Sequence, residues 1–318
     1  MVRSGTGAVN EVASGASCCG VARVWVSIGP VDNGEVLKRD LQRDAVRGGA
    51  PRVAASSYLN TAPLVWSFAR GRRCAEVELV SDTAPARCAD MLARSQVEAA
   101  LVPVIEYQRL PETAVVPGVC VGARREVHSV VLVTRGKDLK EVESVALSIE
   151  SRTSAALVEV IFREFLGRAP RLEPFVPDLS NMLERHDAAL VIGDPAMTFE
   201  RDGLRVYDMA ALWREFTGLG FVFAMWMADA GASERVLAVD FAAARDEGLA
   251  AVEEIAAMYE SELARPRAEL VRYLTENISF SLDEEMRAGL ELFFQLAHKH
   301  GVTQTLRPLK FLGTEVDK

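Results

Sequence analysis

Ser56-Ser57-Tyr58-Leu59-Asn60-Thr61-Ala62-Pro63 follows a short apolar run, Arg52 to Ala55, that predicts the first strand of a domain. Asn60 and Thr61 stand where a helix should begin. Pro63 suits the first turn of Pro63-Leu64-Val65-Trp66-Ser67-Phe68-Ala69-Arg70. A strand running into Asn, Thr and Pro at a helix start puts polar side chains and free backbone N–H groups at one rim of a sheet. In α/β proteins that rim is where ligands bind. The stretch admits two readings: Asn60 or Thr61 caps the helix, or one of them faces a ligand.

Outward from it, strands and helices alternate. Val77 to Val80, Val97 to Val102, Val115 to Gly122 and Val127 to Thr134 read as strands, with a helix over Pro85 to Arg94. A second series begins near Val142. It has strands at Ser144 to Ser148, Arg171 to Val176, Ala188 to Ile192 and Leu204 to Tyr207, and an amphipathic helix from Ala155 to Leu166 ended by Gly167. Phe221 to Met227 is a long apolar strand, and the chain after it is helical. A closed (β/α)₈ barrel needs more alternation than this. The expected architecture is therefore α/β in two lobes, each with a mainly parallel sheet. The boundaries are 51–134 with 222–318 for lobe 1 and 135–221 for lobe 2, the chain crossing near Arg135 and returning near Phe221. Residues 1–50 show no sustained period and are expected to be a flexible N-terminal extension.

The formal net charge of −9 argues against nucleic acid as a partner, since phosphate binding needs a basic face. An anionic ligand would need local donors instead. No run of 18 uncharged apolar residues predicts a membrane helix, and the first residues lack a secretion signal, so a cytoplasmic protein is expected. The five cysteines are odd in number and form no CxxC pair, and His298 and His300 point to different helix faces. No metal site is expected. No GxGxxG or Walker loop is present, so no nucleotide cofactor is expected either. Oligomeric state is not readable.

Four places would converge on a cleft between such lobes: Asn60-Thr61 with the neighbouring Ser57; Pro103 to Tyr107; Ser129; and Ser148 with Ser151-Arg152-Thr153-Ser154. The last combines a helix N-terminus, hydroxyls and a guanidinium, a good carboxylate site. The alternative is that Thr153 or Ser154 caps the helix and Arg152 is a surface charge. Asp194, in Gly193-Asp194 at the end of a strand, reads either as a cap or as a rim residue. Ser129 lies in neither a GxSxG nor an SxxK motif, which argues against a serine hydrolase. His128 would alternate with Ser129 on a strand and face the other way. Alone, these residues predict a two-lobed binding protein for a small anion.

Arg52 through Pro63, Leu101-Val-Pro-Val-Ile-Glu-Tyr107, Ser148 through Ser154, Leu190-Val-Ile-Gly-Asp194, and Leu212-Trp-Arg-Glu-Phe-Thr-Gly-Leu219 with Phe221-Val-Phe-Ala224 resemble, in order, the chorismate dehydratases of the futalosine route to menaquinone. That resemblance implies a type II periplasmic-binding-protein-like fold with a central cleft and C-terminal helices. It also implies dehydration of chorismate, a small-molecule substrate, to 3-[(1-carboxyvinyl)oxy]benzoate, with Asn60 and Ser129 as the key polar residues. Ser57, Thr61, Ser151, Arg152, Thr153, Ser154 and Asp194 are the candidates for holding the substrate. Three positions depart from the family pattern: Ala54 for a common Gly, Ser56 for an apolar residue, and Gly220 for a Pro. The rival readings are 1,4-dihydroxy-6-naphthoate synthase, which shares the fold but relies on a His, a transporter's solute-binding protein, and a non-catalytic sensor of small carboxylates.

Overall fold

The computed structural model describes residues 49–313; the expected extension lies, but for its last two residues, outside them. The elements that matter here are, in chain order, β1 (Arg52–Ser56), α1 (Ala62–Ala69), β2 (Glu78–Asp82), α2 (Pro85–Ala93), β3 (Ala99–Pro103), β4 (Thr113–Ala123), β5 (Val130–Thr134), β6 (Ser144–Ser148) and α3 (Arg152–Val160). They continue with β7 (Arg171–Phe175), β8 (Ala188–Ile192), β9 (Arg205–Asp208), α4 (Met209–Thr217), β10 (Phe221–Asp229), α5 (Phe241–Ala250) and α6 (Glu284–Lys299).

Two five-stranded sheets result, ordered β2-β1-β3-β10-β4 and β7-β6-β8-β5-β9. In the first, β1 runs parallel to β2 and β3, and β10 lies antiparallel between β3 and β4. The second repeats the plan, with β5 antiparallel between β8 and β9. Each sheet thus has one reversed strand, and those two strands carry the chain between lobes.

This corrects one boundary. Val127 to Thr134 does not extend the first lobe: the strand begins at Val130, and its partners are β8 and β9. The crossing therefore falls at residues 124–129, before the expected Arg135. Its cause is a sharp turn. His128 sits at φ +58°, and the Asp208 carboxylate accepts the N–H groups of Val127 and His128 as well as those of Ala210 and Ala211 at the start of α4. One half-buried carboxylate thereby fixes both the turn and a helix cap. Ser129 sits at the crossing itself, not on a strand. β5 then alternates, with Val131 and Val133 packing into a small second-lobe core with Met182 and Leu183 while Val130 and Leu132 join the main one.

The C-terminal helices close over the first lobe. α5 lies against α1 so tightly that a Cβ at Gly248 would sit 1.9 Å from the Pro63 carbonyl oxygen. α6 crosses β10, with Phe293 edge-on to Phe221 at 5.0 Å. The departure at Gly220 has its reason here: its carbonyl would lie 2.0 Å from a Cβ at Gly289, and a Cβ at Gly220 itself would meet the Met286 sulfur at 2.4 Å. No helix among the described residues is long and apolar enough to cross a membrane.

Candidate functional site

The β1 rim and the second lobe meet around a cavity of about 60 Å³. Its walls include Ser56, Tyr58, Asn60 and Thr61 from the opening stretch, and Ser151, Thr153 and Ser154 from the start of α3. Phe223, Leu101 and Val121 supply an apolar floor. By this measure there is room for roughly four waters, so the lobes are closed on one another. Glu150 is the only carboxylate in the lining, and no Lys, Arg or His contributes.

Asn60 lies in a single 3-10 turn, Leu59–Thr61, between β1 and α1. Its Oδ1 is buried and accepts no hydrogen bond. Such an atom is costly to leave unpaired, so it marks a place where a ligand donor belongs. Thr61 holds the cap position of α1 but its side chain does not cap, against the first of the two readings of this stretch. Its hydroxyl reaches back to the carbonyls of Ser56, at 2.6 Å, and Tyr58, at 2.8 Å, and pins the turn to the end of β1. Ser57 contributes backbone only: its carbonyl accepts from Tyr259 Oη at 2.8 Å, and it is absent from the cavity wall, where its neighbour Ser56 stands.

The helix start at α3 keeps part of its expected character. Ser151 occupies the cap position without capping, so the first N–H groups of α3 have no side-chain partner. No hydrogen bond within the described residues engages the hydroxyl of Ser151 or Ser154. Thr153 is engaged on one side only: its Oγ1 accepts the Ile105 N–H at 3.2 Å across the cleft, and its own proton has no acceptor among the described residues. Arg152 is spent. Its guanidinium binds Glu106 at 3.0 Å and Asp90 at 2.6 Å, and it does not line the cavity. It holds the lobes together and does not face a ligand.

Two more links span the cleft. Tyr58 Oη donates to Glu150 Oε2 at 2.9 Å, and Asp194 accepts the Leu59 N–H at 3.0 Å. Asp194 therefore anchors the Asn60 turn from outside the cavity wall. Gly193 beside it is indispensable in shape: its φ of +68° with ψ −152° is a glycine conformation, and a Cβ there would start 2.7 Å from the Tyr58 ring.

Burial pushes the Asp194 carboxyl up to about 7, with Glu262 adding to the rise and the Leu59 N–H opposing it. The folded value lies above the ordinary carboxylate value of about 4. Ionised Asp194 thus burdens the folded state, increasingly from about pH 4 to about pH 7 and constantly above. Asp194→Asn keeps an acceptor for Leu59 and removes the charge. It should raise stability over the parent by about 2–4 kcal/mol at pH 8 and hardly at all at pH 4, read from urea unfolding midpoints. An equal gap at both pH values rejects this.

Ser129 is fully buried and, like Tyr273, stands behind the cavity wall, which its neighbour Val130 forms. Its hydroxyl accepts from Tyr273 Oη at 2.7 Å. Asn60 is the other polar side chain bearing on that phenol, and both neighbours lower its pKa while burial, the larger effect, raises it. The structure thus brings Asn60, from the first lobe, and Ser129, from the crossing, to one tyrosine. Tyr273 opens a π-helical turn, Tyr273–Asn277, and nothing around it in sequence marks it out. The four histidines stay outside the cavity wall: His128 is half-exposed beside Glu126, His186 binds Glu173, His298 contacts the Thr303 carbonyl, and His300 binds Glu164. No cluster among the described residues has the His, Cys, Asp or Glu content to hold a metal.

A family model described as menaquinone biosynthesis matches residues 51–299. A chorismate dehydratase of Thermus thermophilus is 31% identical over 264 residues, which cover 77% of this chain and 92% of that protein. Among solved structures, a protein from Archaeoglobus fulgidus aligns with TM-score 0.59 at 18% identity, covering 80% of this chain and 98% of its own. The periplasmic aliphatic sulphonate binding protein SsuA from Escherichia coli aligns with TM-score 0.55 at 17% identity over 85% of this chain and 96% of its own. These likenesses establish the fold: two α/β lobes of the periplasmic-binding-protein type, type II in the order of their strands.

Proposed function

Since the chain belongs to the menaquinone biosynthesis family, we propose that it is a cytoplasmic hydro-lyase that removes water from chorismate to give 3-[(1-carboxyvinyl)oxy]benzoate. The observation that carries this reading is the 31% identity that spans 92% of a chorismate dehydratase.

The reaction is redox-neutral, with water as its only co-product. The hydrogen on C3 is acidic through conjugation with the ring carboxylate. Its loss, with departure of hydroxide from C4, makes an aromatic ring. The protein must hold a dianion, stabilise charge gathering on the ring carboxylate, and help hydroxide leave. Neutral donors suffice for the last two tasks, and the cavity wall is rich in these and poor in bases. The α3 start, with its uncapped N–H groups and the hydroxyls of Ser151 and Ser154, suits one carboxylate. Asn60, with its unpartnered Oδ1, suits the ring hydroxyl, and Ser129 serves as a donor at the reacting centre. The substrate's side-chain carboxylate takes the C3 proton, which leaves no step for a protein base. The small closed cavity implies that the lobes open for entry and close to exclude water.

Incubation with chorismate tests the assignment. Loss of the diene absorbance, with a product lighter by one water in the mass spectrum, is the expected result. Tight binding without turnover would instead leave a sensor of small carboxylates.

A further inference from the structure

We propose that Tyr273 is a positioning residue for this elimination: its phenol fixes the Ser129 hydroxyl so that the serine proton is left for the substrate. The inference rests on the dehydratase reading above and adds to it a residue and a role.

It follows from counting protons at Ser129. The serine N–H donates to the Val127 carbonyl at 2.7 Å, and the serine carbonyl accepts from the Gly193 N–H at 2.7 Å. The backbone is therefore fully used. Its Oγ has one proton to give and two lone pairs to fill. Tyr273 Oη fills one lone pair at 2.7 Å. No described residue accepts the serine proton.

The opposite sense, serine donating to phenol, is disfavoured on two grounds. A phenol is the stronger acid and hence the better donor. That sense would also strand the phenolic proton, since Ser129 is the one hydrogen-bond partner of Tyr273 Oη among the described residues. The order of donation is therefore Tyr273 to Ser129 to ligand, with the Asn60 carboxamide bearing on the same phenol.

The place of Tyr273 gives this meaning. It is 3% exposed, at the first residue of a π-helical turn, and its Oη reaches Ser129 at the crossing. Ser129 belongs to the crossing between lobes, and Tyr273 to the C-terminal helices over the first lobe. The bond thus ties the crossing to helices that are themselves pinned to the first lobe, where Ser279 pairs with Gly122 of β4. A hydroxyl so oriented has lost its rotational choice before the substrate arrives, and a donor that needs no reorganisation is worth most in the transition state.

The experiment is a double-mutant cycle with steady-state kinetics on chorismate. Tyr273→Phe removes one oxygen and nothing else. It should lower kcat about tenfold, the worth of one buried hydrogen bond, and leave KM within about twofold. In a Ser129→Ala background the same change should alter kcat by less than about twofold, because the group it orients is gone. A merely structural tyrosine would give equal losses in both backgrounds, and that result overturns the proposal. So does a Tyr273→Phe enzyme with wild-type kcat. If the parent itself does not turn over chorismate, the dehydratase reading fails and this role falls with it; an active parent with multiplicative losses defeats the role of Tyr273 alone. Should Tyr273→Phe fail to fold, Asn60→Ala, Ser129→Ala and their double variant carry the test. Their losses should fall short of multiplying, since the phenol joins the two residues, and fully multiplicative losses overturn the relay.

Discussion

Asn60→Ala and Ser129→Ala should each slow turnover of chorismate by about 10²–10³, the usual cost of removing one preorganised donor or acceptor from a reacting centre. Their effects on stability should differ, and the difference is diagnostic. Asn60 Oδ1 is a buried acceptor with no partner in the protein. Removing it relieves a desolvation penalty, so Asn60→Ala should melt at or slightly above the parent temperature. Ser129 Oγ, by contrast, is the acceptor for Tyr273. Removing it strands a buried phenol, at a cost of about 1–3 kcal/mol. A variant that gains stability as it loses activity marks a residue kept for chemistry. Near-full turnover in both variants would defeat the assignment. Loss of activity in Asn60→Ala together with a large fall in melting temperature would make Asn60 structural.

Much of this was readable in the sequence, and what was not has identifiable causes. Alternation of apolar runs with helical segments located the strands, because burial of both sheet faces writes continuous Val, Ala and Leu into β1, β3 and β8. The crossing point was misplaced by a few residues because it depends on Asp208 gathering the N–H groups of Val127 and His128, some 80 positions away. A run such as Val127 to Thr134 carries no trace of that.

At the site, residue types were informative and partners were not. Arg152 beside a helix start had the composition of an anion site, yet Glu106 and Asp90, 46 and 62 residues distant, consume its guanidinium. Thr61 looked like a cap, but Ser56 and Tyr58 offered its hydroxyl nearer carbonyls. Asp194 was legible as a rim residue, and its role as the acceptor for Leu59 follows only from closure of the lobes. Tyr273 had no local signal at all, since its meaning comes from Ser129, 144 residues earlier. Local pattern thus reports which groups are polar at a rim, while tertiary pairing decides which of them remain free for a ligand.

Gly248→Ala should be among the most damaging single-methyl additions in the chain. The added carbon would sit 1.9 Å from the Pro63 carbonyl oxygen and 2.7 Å from its carbon. Both are backbone atoms, so no rotamer change relieves the clash and one helix must move. α5 has little freedom to do so. One residue earlier, Glu247 accepts from Ser67 Oγ at 2.6 Å and from the Arg72 N–H at 2.9 Å, which ties α5 to the far end of α1. Overpacking a fixed helix pair costs about 3 kcal/mol, near the top of the usual range. In a protein of this size that lowers the melting temperature by roughly 4–6 °C. Gly231→Ala is the control: its Cβ would meet nothing closer than 3.4 Å, and it should stay within about 0.5 kcal/mol of the parent. The displacement should also reach the site. Pro63 is in the first turn of α1, three residues after Asn60, and Thr61 ties that turn to the end of β1. Pushing Pro63 away from α5 drives the Asn60 turn toward the cavity, so kcat should fall even at temperatures where the variant is fully folded. A folded Gly248→Ala protein with parental kcat would show that the α1–α5 contact does not position Asn60. An unchanged melting temperature would show that the two helices are not packed backbone to backbone.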